Sequence, residues 1–228
     1  MPLARALRFS AVAIRPILRA AVSTLALVSA GPASARAGTI TLANHSSTTP
    51  PSCPANPCAV VSRTTAIQIK DGKDVNPFMI RRSGRIIAWS ITLAVPSLNQ
   101  VHYFDGREGG TSRAGLAILH NTGGLEYRLV GLSPVVRLQS RFGTTAQFHL
   151  AHPIAVKAGD VVALAVPTWV PALAVNYPAT TSWRASRNTS QCGDVTIQTM
   201  QAVVGSSAAY ECLYQTAQLT YAATEATG

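Results

Sequence analysis

Apolar and polar residues alternate along most of the chain beyond residue 38, and the alternation is clearest from Arg85 to Val95. Ile87, Trp89, Ile91, Leu93 and Val95 fall on one side of an extended backbone; Ile86, Ala88, Ser90, Thr92 and Ala94 fall on the other. One bulky apolar face and one smaller, more polar face describe a strand packed on a core by one side. We place it as a central strand of a sandwich. Further strand candidates follow at short intervals over 39–43, 59–69, 114–120, 125–130, 134–138, 145–151, 160–168, 195–200, 208–215 and 217–223. Turn formers separate them, among them Asp71-Gly72, Gly123-Gly124, Ala158-Gly159-Asp160 and Gly205-Ser206-Ser207. No stretch carries a sustained helical repeat with caps. The expected fold is all-β, a single antiparallel β-sandwich of jelly-roll-like form.

Composition narrows the class. Of the 228 residues, 47% are hydrophobic and 12% charged, which excludes a disordered chain and a coiled coil. Residues 1–37 carry Arg5, Arg8, Arg15, Arg19 and Arg36 with no acidic residue, then an apolar stretch from Ala20 to Ala30 and the small-residue end Ala35-Arg36-Ala37. These are the parts of a secretory signal peptide, with cleavage expected after Ala37. The apolar stretch is too short for a membrane span, and so is Val161 to Val175, which holds Pro167 and Pro171. The expected localisation is therefore secreted, or extracellular. Without the five leader arginines, 14 Lys and Arg stand against 9 Asp and Glu, a net charge of +5 rather than +10. That surplus favours anionic partners such as an extracellular polysaccharide or envelope polymer. It is too thin for a nucleic-acid partner.

Residues 38–58 read as an N-terminal arm, rich in Ser, Thr and Pro, and 59–228 as the sandwich domain. Cys53, Cys58, Cys192 and Cys212 all lie in the exported part, and an even count outside the cytosol points to two disulfides. Three connectivities are open; the local pairs Cys53–Cys58 and Cys192–Cys212 are favoured because more than 130 residues separate one pair from the other. No Cys-x-x-Cys pair is present and no histidine lies near either pair, so neither a metal nor a cofactor is expected.

Candidate chemistry is sparse. Trp169, Tyr177 and Trp183 fall within 167–187, with Pro167, Pro171 and Pro178 between them. A Pro-stiffened loop can present such rings as a stacking platform for a sugar, with Arg184 and Arg187 engaging an acidic one. The same rings could instead close the open end of the core. His102 to Glu108 is the densest polar cluster and reads as a Gly-rich loop ending at Gly109-Gly110. Asp105 and Glu108 are its candidate calcium ligands and, with His102, its candidate acid–base groups. His149 and His152 are three apart in an alternating stretch, which puts them on opposite faces and disfavours a two-histidine metal site. Without a Gly-x-Ser-x-Gly elbow, no catalytic residue is assigned.

The run Pro153-Ile154-Ala155-Val156-Lys157-Ala158-Gly159-Asp160-Val161-Val162-Ala163-Leu164 resembles the strand, Gly-Asp turn and buried strand of jelly-roll sandwiches. Together with Val166 to Leu173, Ser182 to Arg187 and the late Cys192 and Cys212, it makes roughly residues 52–223 similar to uncharacterised secreted β-sandwich proteins of high-GC actinobacteria. The resemblance implies fold and export and supplies no catalytic residues. Three function classes follow: a non-enzymatic module binding a glycan or cell-envelope polymer through 167–187, a structural or adhesive surface protein with protein partners, and an extracellular hydrolase centred on His102, Asp105 and Glu108. The first is favoured.

Overall fold

The computed structural model describes residues 38–44, 49–193 and 199–227. The expected signal segment 1–37 and its cleavage point lie outside them, as does most of the strand candidate 195–200; its remaining residues, 199 and 200, are not extended into a strand. In chain order, β1 (Gly38–Ala43), β2 (Val61–Asp71), β3 (Asp74–Val75) and β4 (Gly84–Thr92) precede one helix, α1 (Leu98–Arg107). Then come β5 (Arg113–Gly123), β6 (Glu126–Leu132), β7 (Val136–Arg137), β8 (Thr145–Val156), β9 (Val161–Val170) and β10 (Leu173–Val175). The last are β11 (Ser182–Ala185), β12 (Ser207–Ala209), β13 (Cys212–Gln215), β14 (Ala217–Leu219) and β15 (Tyr221–Thr227).

The strands form two main antiparallel sheets. One runs β1-β15-β4-β8; the other runs β12-β6-β5-β9-β2-β11-β13, with β3 on β2 and β7 on β5, and β10 and β14 make a short separate ladder. Side chains from both sheets meet in one core: Ile86, Trp89, Ile91 and Tyr221 from the first, Ile67, Leu116, Ile118, Val162 and Leu164 from the second. The Tyr221 ring stacks on Phe78 at 4.2 Å, and its hydroxyl donates to the Val162 carbonyl at 3.0 Å, tying the layers together. The fold is the expected all-β, sandwich-like one, and both local disulfides are present.

Three expectations change. The alternating strand is an inner strand, β4, with Trp89, Ile91 and Leu93 buried, but in its ladder with β15 the residue Ile87 is left unpaired between Ile86 and Ala88, and this bulge reverses the phase before Trp89. Ile86 therefore points inward, Ile87 is half-exposed and Val95, beyond the strand, is 56% exposed. A single inserted residue moves every side chain on one side of it to the opposite face. Second, residues 38–43 are no arm: β1 pairs along its whole length with β15 and completes a sheet. Third, Leu98–Arg107 is helical. Ser97 accepts from the Gln100 N–H and the Gln100 side chain accepts from the Ser97 N–H, a capping box that the order Ser-x-x-Gln announces. The helix buries none of its residues, so no apolar stripe marks it.

Glu225 lies on the inward side of β15 with Tyr221 and Ala223 and is 1% exposed, and its Oε1 has no hydrogen-bond partner among the described residues. A Cβ on Gly84 of the neighbouring strand would sit 2.6 Å from the Ala226 carbonyl oxygen and from that carboxyl oxygen, so only glycine fits there. Burial pushes the carboxyl above its ordinary value of 4.5. A group that holds its proton more tightly when folded stabilises the fold fully below the ordinary range, and that contribution is lost as pH rises through the raised pKa. Glu225→Gln should remove this slope: urea midpoints measured upward from pH 4 should fall less in the variant than in the parent.

Candidate functional site

The β5–β6 hairpin turns at Gly123-Gly124, both at positive φ, and its register sets His120 directly opposite Arg128. On the other side, β8 ends at Val156 and the chain turns through Lys157-Ala158-Gly159 into β9. Asp160 organises this turn. Its Oδ2 accepts the Lys157 N–H at 2.8 Å, and its backbone N–H donates to the Lys157 carbonyl at 3.0 Å. Its Oδ1 lies 2.9 Å from His120 Nδ1. Asp160 is 4% exposed, whereas the His120 side chain is 45% exposed.

An ionised carboxylate only accepts, so Nδ1 carries the proton and Nε2 is the imidazole nitrogen left to meet a ligand. His120, Arg128, Val130, Ala155, Lys157 and Asp160 line a cleft of about 350 Å³. Both Asp160 oxygens are engaged within the protein, while Arg128 and Lys157 stand exposed at the surface. The two cations, set against one carboxylate that is already engaged, leave the cleft a positive surplus. Val130 and Ala155 add an apolar wall. These residues can hold a carboxylate or phosphate group by charge-assisted hydrogen bonds.

The residues singled out from the sequence sit elsewhere. Pro167 lies within β9, and Trp169 is fully buried there between Phe104 at 5.0 Å and Phe142 at 5.7 Å. Its Nε1 donates to Asp105 Oδ1 at 2.8 Å and to the Gly110 carbonyl at 3.1 Å. Trp183, in β11, is 4% exposed and stacks on Tyr214 at 4.4 Å. Tyr177 is half-buried, with its hydroxyl 3.0 Å from Gln218 Oε1. The stacking platform is thus not formed, because the stretch is mostly strand and its two tryptophans face the protein.

The two arginines serve backbone carbonyls instead. Arg184 Nη1 donates to Tyr210 and Glu211 carbonyls at 3.0 and 2.9 Å. Arg187 is 3% exposed and donates to the Ser62 carbonyl and, at 2.8 Å, to the Tyr214 hydroxyl.

The polar cluster is likewise structural. Asp105 sits on α1, not in a loop, and its two oxygens take the Trp169 indole N–H and the Gln139 amide at 2.8 Å each. Glu108 caps the helix and is 4% exposed, and His102 remains on the exposed surface. Among the described residues, no three His, Cys, Asp or Glu side chains gather as a metal set.

The sequence reading missed the cleft because its members come from three separate segments and none belongs to a motif. The Ala158-Gly159-Asp160 turn was visible, but the pairing of His120 with Arg128 depends on a hairpin register with two irregularities. Comparison with protein-family models, curated proteins and solved structures finds no match. The site is read from its own chemistry.

Proposed function

We propose that the protein is an extracellular, non-enzymatic β-sandwich that binds an anionic group of a glycan or cell-envelope polymer in the His120–Arg128–Lys157 cleft. The observation that carries this reading is the convergence of Arg128, Lys157 and an Asp160-oriented imidazole on one cavity, with the Asp160 oxygens already engaged by His120 and the Lys157 N–H. Two disulfides support an oxidising compartment. Among the described residues, no helix is long and apolar enough to cross a membrane. The leader-like residues 1–37 support export.

Calorimetric titration with polygalacturonate, a carboxylate-bearing glycan, tests the reading. The double variant Arg128→Ala/Lys157→Ala should bind roughly ten- to a hundredfold more weakly, on the scale of losing charge-assisted hydrogen bonds. The parent's affinity should fall as salt rises, and the variant's should fall less. Equal affinity of parent and variant would exclude this cleft.

A further inference from the structure

A second cavity lies on the same strand as the cleft. A groove of about 340 Å³ is lined by Trp89, Pro134, Val136, Gln147, Phe148 and Leu150, among others. Phe148 is half-buried, with its ring 4.7 Å from Trp89. Along β8 the groove involves residues 147–151 and the cationic cleft residues 155–157. Between them Ile154 meets β6: a Cβ on Gly131 would sit 2.6 Å from Ile154 Cγ2, so the two sheets close together at that point and open on both sides of it. Phe148 lies opposite Trp89, and Val156 opposite Gly84. Those two positions of β4 are five residue steps apart, which sets Phe148 and the end of β8 up to about 17 Å apart at 3.3–3.4 Å per residue.

We infer that the groove and the cationic cleft are consecutive subsites for one extended acidic polysaccharide, whose charged group enters the His120 cleft while a neighbouring sugar ring packs against Phe148. This inference rests on the reading of the cleft. β8 is the outer strand of its sheet, yet four residues, Leu150 to Pro153, stand opposite the single residue Ile87. Such a bulge interrupts the ladder, and Pro153 has no N–H to offer, so a peptide paired on the regular edge from Thr145 to His149 could not run on as a strand to the cleft. A sugar chain needs no ladder. It needs an apolar face for its rings, a polar side chain such as Gln147 for its hydroxyls, and a cation for its acid. A monosaccharide cannot reach both cavities, whereas an oligomer of several units can.

The test is calorimetry of the full chain with galacturonic acid and with oligogalacturonates of increasing length. Affinity should climb with length and then level off. Ala151→Phe, an exposed position that would fill the groove without touching the core, should weaken the long oligomers roughly tenfold and leave galacturonic acid unchanged. Phe148→Ala should do the same, with its folding checked by thermal melting. Long oligomers that bind both variants as tightly as the parent, while Arg128→Ala/Lys157→Ala still weakens binding roughly tenfold or more, would overturn the second subsite and leave the cleft standing. Binding of Arg128→Ala/Lys157→Ala as tight as the parent's, or no binding at any length, would overturn both.

Discussion

Replacing Trp169 with alanine is expected to destabilise the protein by about 3–5 kcal/mol, the range for truncating a buried tryptophan. The side chain is fully buried against Phe104 and Phe142, and its indole N–H is the donor for Asp105 Oδ1. The substitution leaves both a cavity and a carboxylate oxygen without that donor. In a chain of this size the melting temperature should fall by roughly 10 °C. Trp169→Phe separates the two effects: it keeps most of the volume and removes only the donor, which should cost about 1–3 kcal/mol. The loss should also be local. Because α1 buries no residue of its own, Phe104 and Asp105 hold it to β9, and its amides should exchange faster in Trp169→Ala than those of β4. A loss under about 1 kcal/mol in urea titration, with unchanged exchange in α1, would contradict this account.

The second large effect concerns Cys192–Cys212. The bond links residues 20 apart in sequence, and its removal in Cys192→Ala/Cys212→Ala should cost about 3 kcal/mol in the chain-entropy model. Cys53–Cys58 closes a separation of only 5, for which the same model gives about 2 kcal/mol. Packing sharpens the difference. Cys212 is fully buried, and the Tyr214 hydroxyl donates to the Cys192 carbonyl at 2.8 Å while accepting from Arg187 at 2.8 Å. Losing the bond loosens a buried network as well as a loop. Urea midpoints should therefore rank parent, then the Cys53/Cys58 variant, then the Cys192/Cys212 variant. A reversed order would show that the Cys53–Cys58 turn carries more of the fold than its loop length implies.

What the sequence disclosed follows from how local each signal is. Strand alternation is written within a few residues, so Trp89, Ile91 and Leu93 announce the core face of β4, and the run from Val161 announces a strand buried on both faces. The disulfide partners are legible for the same reason, each being its pair's near neighbour. The bulge at Ile87 is invisible to periodicity, because nothing in the sequence marks which residue drops out of phase.

Pro167 misled differently. A proline in an inner strand argues against strand, yet here it falls where the β2–β9 ladder shifts register between Ser62 and Thr64, and a bulge is where an inner strand tolerates proline. Reading 167–187 as a loop turned two core tryptophans into a binding surface. The helix carried a legible Ser97–Gln100 cap, but no apolar stripe followed it. His120, Arg128, Lys157 and Asp160 meet only after two sheets have formed, so their proximity is a property of the tertiary fold.

The central claim is that this cleft receives an anion. The most direct measurement is an NMR titration of the full chain with galacturonic acid, following backbone amides and histidine ring protons. The account predicts that saturable shifts concentrate at His120, Arg128, Val130, Lys157 and Asp160, with the His120 imidazole among the largest. Shifts centred on Trp183, Arg184 and Tyr214, or none in the cleft at any galacturonic acid concentration while polygalacturonate binds, would contradict it.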